Sequence, residues 1–234
     1  MSPGAVQESK RSFRHPGAPC GSHGWTPWWH CTLLDPYERI NVWSHAVPGL
    51  LFVFFGVHTY FSKELGSSST WAHNPLGIFC FCAAVTHLGS TATHVYPDSF
   101  ALEKLDHLGI VALVAGTPLT ALMAREHGNV PLDVKVVFGA MLAAALLSPA
   151  WRVAGFSLGT LAAIWLHWRE VMNANLAAQI ALYGLSGVLF LRAKLGQVNP
   201  RRWQGLYDHQ LLHYAVTVAC TLHVLYIQDA IRHV

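Results

Sequence analysis

The sequence predicts an all-α, polytopic membrane protein: a bundle of seven transmembrane helices with a cytoplasmic N-terminus. Of its 234 residues, 53% are hydrophobic and only 12% are charged, whereas an ordinary soluble domain has about 25% charged residues. The charges are separated by long uncharged stretches, and about 17–25 mostly apolar residues suffice for a helix that spans a membrane. We therefore expect an integral, multi-pass membrane protein.

Seven apolar segments follow one another between the charges. Each is long enough, or nearly long enough, to span a bilayer. The fourth and fifth are the shortest, and one unbroken helix is the alternative to a turn at Pro149 and Arg152. The predicted organisation is a cytoplasmic segment at 1–40, one membrane domain at 41–230 and a short tail at 231–234. The segments are Val42–Phe61, Pro75–Val95, Leu108–Ala124, Val136–Ala150, Val153–Trp168, Asn173–Leu191 and Leu211–Ile227.

The distribution of positive charge predicts the orientation of the bundle. With seven spans, ten of the 15 Lys and Arg side chains fall on the side of the N-terminus and five on the other side. Because positively charged loops are retained in the cytoplasm, the N-terminus is expected there. The net charge of +3 comes from helix ends rather than from a basic face, so nucleic-acid binding is not expected. The five cysteines lack C-x-x-C spacing, which argues against a cysteine zinc site.

Histidines stand at helical spacing in two of the apolar segments. His209 and His213 are four residues apart at the start of the seventh helix, which lets two imidazole nitrogens reach one metal ion. Ser90 and His94 have the same spacing near the end of the second helix, and His87 lies on nearly the same face. An ionisable group inside a membrane segment is a functional candidate by default. For His87, a hydrogen bond to a backbone carbonyl is the simpler explanation.

Carboxylates and amides mark the starts of two further helices. Asp106 lies at the start of the third helix, and Glu38, Asn41 and His45 lie at the start of the first. Helix capping and solvation at the interface are the simpler reading of such groups. In a bundle of alternating helices, however, the starts of helices one, three and seven and the end of helix two all lie at one membrane face. We therefore expect a single site there.

The opposite membrane face has histidines too, but without carboxylates at matching positions. These are His58, His73, His127 and His167. Capping alone would distribute polar groups over both faces, so their concentration at one face favours a functional site.

Three neutral imidazoles with one open coordination position is the arrangement of catalytic zinc. His94, His209 and His213 are therefore the predicted ligands of Zn²⁺. Asp106 is predicted to hold or deprotonate the water that the metal activates, with direct ligation as the alternative. Ser90 is predicted to bond that water or a developing oxyanion, the alternative being a bond to the carbonyl four residues earlier.

Glu38, Asn41 and His45 are predicted to form a network that fixes the orientation of the metal ligands without touching the metal. Because the site lies just beneath the membrane interface, the expected substrate is a membrane lipid whose reacting bond lies near its headgroup. Hydrolysis of an amide or an ester is the expected chemistry.

Four motifs, taken in order, resemble those of the progestin and adipoQ receptor family, which includes the hemolysin III-like proteins and the adiponectin receptors. The resemblance covers nearly all of the membrane region. One departure is Asp208, which stands where receptor-type members have serine and is expected to add a carboxylate near the metal. The motifs are E-R-I-N-V-W-S-H at Glu38–His45, S-T-A-T-H at Ser90–His94, K-L-D-H-L-G-I at Lys104–Ile110, and D-H-Q-L-L-H at Asp208–His213 followed by His223.

The resemblance implies a seven-helix fold and a zinc site formed by His94, His209 and His213, with Asp106 beside the water of the metal. It also implies receptor function in some members and a ceramidase-like hydrolase activity, since alkaline ceramidases are related to this superfamily. Membrane lipids, among them a ceramide-like substrate, are accordingly the expected partners, and the identity of a protein ligand is left open. The alternatives are a receptor with structural zinc, and an ion or proton pathway lined by His and Asp.

Overall fold

The computed structural model describes most of the membrane region. The described residues are 27–61, 74–97, 99–126, 130–145, 158–162, 164–195, 202–203 and 206–232. The predicted segment at 1–40 is thus described only from residue 27, and the predicted turn at Pro149 and Arg152 lies outside the described residues, as do His73 and His127.

The described chain is helical, apart from connections and one short hairpin. A π-helical turn at His30–Leu34 precedes the first long helix, and residues 158–162 and 164–166 are helical ahead of α5. The elements are α1 Pro36–Phe61, α2 Pro75–Val95, α3 Phe100–Arg125, α4 Leu132–Ala145, α5 Trp168–Val171, α6 Ala174–Leu195, the antiparallel strands β1 Arg202–Trp203 and β2 Leu206–Tyr207, and α7 Asp208–Arg232.

Four described helices are long and apolar enough to cross a membrane. They are α1, α2, residues Ala101–Arg125 of α3, and α7, and a shorter apolar stretch lies at Ala174–Phe190 of α6. α1 exposes Leu50, Phe54 and Phe61, and large apolar side chains presented outward in this way suit contact with lipid. The chain is an integral, multi-pass membrane protein.

Three long helices begin earlier than the apolar segments predict. α1 begins at Pro36 because the Asp35 carboxylate accepts the backbone N–H groups of Tyr37 and Glu38, at 2.8 and 3.0 Å. α3 begins after its N-cap residue Ser99. α7 begins at Asp208, whereas α2 has the predicted bounds. Asp106 consequently lies in the second turn of α3 rather than at the start of the helix.

Close packing of α2 against α3 depends on two glycines. A Cβ atom on Gly109 would lie 2.7 Å from the Thr86 Cα atom. One on Gly89 would lie 3.3 Å from the Leu105 carbonyl oxygen and 3.5 Å from the Asp106 Cα atom. The Thr86 hydroxyl lies 2.7 Å from the Gly109 carbonyl oxygen. Small residues and interhelical hydrogen bonds of this kind allow membrane helices to approach closely. The contact at Gly89 brings the backbone of Asp106 against α2, one turn before His94.

Candidate metal centre

Three imidazole rings meet where the end of α2 faces the start of α7. The Nε2 atom of His209 lies 3.3 Å from Nε2 of His94 and 3.1 Å from Nε2 of His213. One ring nitrogen from each of the three residues lies within 4.8 Å of the other two, an arrangement that can hold a metal ion. Two nitrogens bound to one zinc ion at about 2.0–2.1 Å with a tetrahedral angle are about 3.3 Å apart. The donor set therefore fits zinc.

The outer nitrogen of His94 is held by a carboxylate. Nδ1 of His94 lies 2.8 Å from Oε2 of Glu38. A carboxylate accepts hydrogen bonds, so Nδ1 carries the proton and the lone pair of Nε2 faces the other two imidazoles. A carboxylate on the far side of a histidine is the usual support for a metal ligand, because it fixes both the tautomer and the ring orientation.

The outer nitrogen of His213 is held by a hydroxyl group. The Ser44 hydroxyl donates to the carbonyl of Asn41 at 3.0 Å, and its oxygen lies 3.1 Å from Nδ1 of His213. With Nε2 as the nitrogen that binds the metal, the neutral His213 ring has its proton on Nδ1 and donates it to the Ser44 oxygen. The lone pair of Nε2 of His213 then points at His209, and the lone pair of Nε2 of His94 does the same.

α1 thus supplies the groups that orient ligands on α2 and α7. The Asn41 side-chain amide donates to Oε2 of Glu38 at 3.3 Å. Gln210 ties the two helix starts together, since its side chain accepts from the N–H of Tyr207 and donates to the carbonyl of Tyr37, both at 3.1 Å. These bonds fix the start of α7, and with it the position of His209.

Two further histidines lie behind the metal centre. The His45 ring stacks on that of His213 with 3.9 Å between centroids, and it meets the His87 ring edge-on at 4.8 Å. His87 donates from Nδ1 to the Ala83 carbonyl at 2.8 Å, as the simpler explanation of this residue predicts, and its Nε2 lies 3.1 Å from the Thr217 hydroxyl. The His45 ring packs against the predicted ligand His213, the His87 ring packs against His45, and neither belongs to the three-histidine group.

The two predicted catalytic residues, Asp106 and Ser90, lie on α3 and α2, two helices that pack closely together. Asp106 lies close enough to His94 for the two side chains to interact electrostatically. Ser90 is buried on α2, and within the described part of the chain its hydroxyl makes no hydrogen bond to the Thr86 carbonyl. Neighbouring Thr91 and Thr93 do bond to carbonyls four residues earlier. The Ser90 hydroxyl is therefore not committed to its own helix.

Three contacts in the structure were not expected from the sequence. Asp208 does not join the metal group: its carboxylate lies 3.2 Å from Nε of Arg192 on α6. Ser44 lies in the motif at Glu38–His45, but its partner His213 lies far away in sequence. The spacing of residues therefore does not predict that Ser44 orients a histidine. At the opposite face, His167 does have a carboxylate partner, with 3.1 Å between its Nε2 and Oδ2 of Asp133.

These features define a multi-pass membrane protein with a cluster of three histidines at one end of its helices. Comparison with known protein families matches residues 36–224 to the family described as haemolysin-III related. The match covers most of the chain, and the chain belongs to this family. A search of curated proteins found no match.

Proposed function

We propose that this chain is a zinc-dependent membrane hydrolase that cleaves the acyl amide bond of a lipid. The observation that carries the proposal is the convergence of the Nε2 atoms of His94, His209 and His213, with the outer nitrogens of two of these rings held by Glu38 and Ser44. Three histidine ligands leave the fourth position of a tetrahedral metal open, which is typical of catalytic rather than structural zinc.

His94, His209 and His213 would hold the metal, which when bound supplies Lewis acidity and makes water a competent nucleophile at neutral pH. Asp106 would act as the general base that accepts a proton from the attacking water. As the water oxygen adds to the acyl carbon and the C–N bond breaks, Asp106 would pass that proton to the leaving amine. Ser90 is available to donate a hydrogen bond to the carbonyl oxygen. The products are a fatty acid and an amine.

The surroundings of the site support a lipid substrate. His94 and His213 lie in helices that are apolar enough to span the membrane, and His213 is buried. Water-soluble substrates have no evident advantage at such a position, whereas an acyl chain can remain among apolar helices while its headgroup bond reaches the metal. A ceramide-like lipid, with an amide bond just below its headgroup, fits this description.

We extend the proposal to seven spans with a cytoplasmic N-terminus. The four long helices are supported by their length and hydropathy, and the shorter apolar stretch Ala174–Phe190 has room to lengthen within α6. α4 and the helical residues around 158–166 supply the remaining two. The excess of Lys and Arg on the side of the N-terminus supports the orientation.

The test of the proposed function is turnover on a panel of lipid amides and esters by the purified full-length chain. We expect release of fatty acid from at least one amide. Asp106→Ala should lower turnover at least about 100-fold, because general acid–base groups contribute about 10²–10⁴-fold, and should leave bound zinc unchanged. Asp133→Asn is the matched control, because this exposed carboxylate on α4 pairs with His167. Absence of turnover on the whole panel would contradict the proposal.

A receptor-like protein with structural zinc is the second candidate. It is favoured by the way in which the site joins three helices, with ligands on α2 and α7 and orienting groups on α1. A metal bound there would hold the bundle together. In that case Asp106→Ala leaves the function intact, whereas His213→Ala unfolds the bundle because metal binding contributes to folding.

A further inference from the structure

Two buried polar atoms beside the metal centre have no hydrogen-bond partner. They are Oδ1 of Asn41 and Nδ1 of His45, and these residues are 0% and 4% exposed. Among the described residues the only other such atom is the hydroxyl of Thr160. Leaving a buried polar group unpaired costs about 1–3 kcal/mol, so a pair of such atoms next to a candidate active site calls for a partner that binds there.

The chemistry of the two atoms restricts what that partner is. The Asn41 amide nitrogen donates to the Glu38 carboxylate, so the orphan atom of Asn41 is the carbonyl oxygen, which needs a donor. Nδ1 of His45 donates or accepts according to its tautomer. A hydroxyl group both donates and accepts, so one hydroxyl satisfies both atoms.

The spacing of the two residues agrees with a shared hydroxyl. Asn41 and His45 are four residues apart in α1, so they lie on one face with about 5–6 Å between their Cβ atoms. Side chains on one face of a helix can reach a common group that lies between them. The His45 ring stacks on the ring of His213 at 3.9 Å, so a hydroxyl bound to His45 is a neighbour of the metal ligands.

We infer that Asn41 and His45 form a hydroxyl-binding subsite, and that the lipid has a free hydroxyl group close to the bond that is cleaved. This inference rests on the proposed function for its substrate, but the binding of the hydroxyl can be measured without turnover. Asn41 and His45 act as binding residues in this account. Glu38 and Ser44, on the same turns of α1, act on the metal ligands instead.

The experiment uses two probes that differ in one hydroxyl. They are the octanesulfonyl amide of ethanolamine, whose sulfonamide bond resists hydrolysis, and the methyl ether of its hydroxyl. Binding of each to the zinc-loaded full-length chain in detergent is measured by calorimetry. We expect the hydroxyl probe to bind at least about 10-fold more tightly, because the methyl ether cannot donate to Asn41.

Variants test whether Asn41 and His45 cause the preference for the hydroxyl probe. Asn41→Leu and His45→Leu should each abolish most of the preference, and His45→Asn, which keeps a polar atom at the δ position, should restore part of it. Thr59→Val is the control, since Thr59 is a buried residue at the far end of α1 whose hydroxyl already donates to the Gly56 carbonyl. It should keep the full preference.

The outcomes separate this inference from the proposed function. If the wild-type chain binds both probes equally, the subsite is refuted even when a lipid amide is hydrolysed and even when a variant fails to fold. If Asn41→Leu and His45→Leu both keep the preference, the hydroxyl binds elsewhere. If the preference is present and depends on these residues while no lipid is cleaved, the subsite stands and the hydrolase proposal fails.

Discussion

α7 has histidines in two regions that differ in the partners of their nitrogen atoms. At the start of the helix, Nε2 of His209 faces Nε2 of both His94 and His213. Toward the other end, His223 is fully buried, and its nitrogens meet Oε1 of Gln179 at 2.7 Å and the Thr120 hydroxyl at 2.9 Å. Imidazole nitrogens that face one another need a shared cation or proton, whereas those of His223 are already satisfied.

Histidine therefore has a different role in each region of α7. The His223 region fastens α7 to α3 through Thr120 and to α6 through Gln179, whose amide in turn donates to Asn175 at 2.7 Å. Tyr226, one turn further on, donates to the Val171 carbonyl at 2.8 Å. A satisfied network of this kind specifies how helices pack, and a metal ion has no free nitrogen to bind there. We therefore predict that substitutions in the first region change zinc binding and that substitutions in the second change stability.

The largest effect on zinc affinity that we predict from a residue outside the three ligands is for Glu38→Gln. The carboxylate orients His94 and raises the basicity of its ring, and loss of such a group lowers metal affinity about 10–100-fold. Zinc titration of the purified variant against the wild-type chain measures the change. The control is Glu126→Gln, at the C-terminal end of α3, which should bind zinc like the wild type. Equal affinities for Glu38→Gln and wild type would show that His94 is not held as described.

A loss of stability with no change in bound zinc is expected for His223→Leu. The substitution leaves the buried Gln179 carbonyl oxygen without its imidazole partner, at a cost of about 1–3 kcal/mol. It also removes the link to Thr120, whose hydroxyl still donates to the Gly116 carbonyl at 2.7 Å. Thermal unfolding in detergent should give a lower midpoint than for the wild type, while the bound zinc is unchanged. A loss of zinc without a loss of stability would reverse the roles of the two regions.

The sequence predicts the membrane class, and it predicts α2 to the residue, because uncharged stretches bounded by charges are a local signal. It places α1 and α3 too late because their first two turns contain charged residues: Glu38 in α1, and Glu103, Lys104 and Asp106 in α3. Those turns are helical through the caps Asp35 and Ser99, not through apolar periodicity. Charged first turns extend a membrane helix beyond its apolar core, and hydropathy does not register them.

The three predicted ligands of the candidate site can be found from the sequence, but the residues that orient and surround them cannot. His209 and His213 share a face through local spacing, and alternation of the helices adds His94. The bond between Ser44 and His213 joins residues 169 positions apart, and the pairing of Asp208 with Arg192 depends on how α6 packs against α7. The spacing of residues within one helix contains no information about these contacts, and the same holds for His223 and Gln179.

The central claim is that the three-histidine group, and not the other buried histidines, binds zinc. Metal analysis of the purified full-length chain tests it most directly, with His209→Ala as the variant and His223→Leu as the matched control in the same helix. We predict one zinc ion per chain in the wild type and in His223→Leu, and loss of nearly all of it in His209→Ala. Absence of stoichiometric zinc from the wild type, or full retention in His209→Ala, would contradict the account.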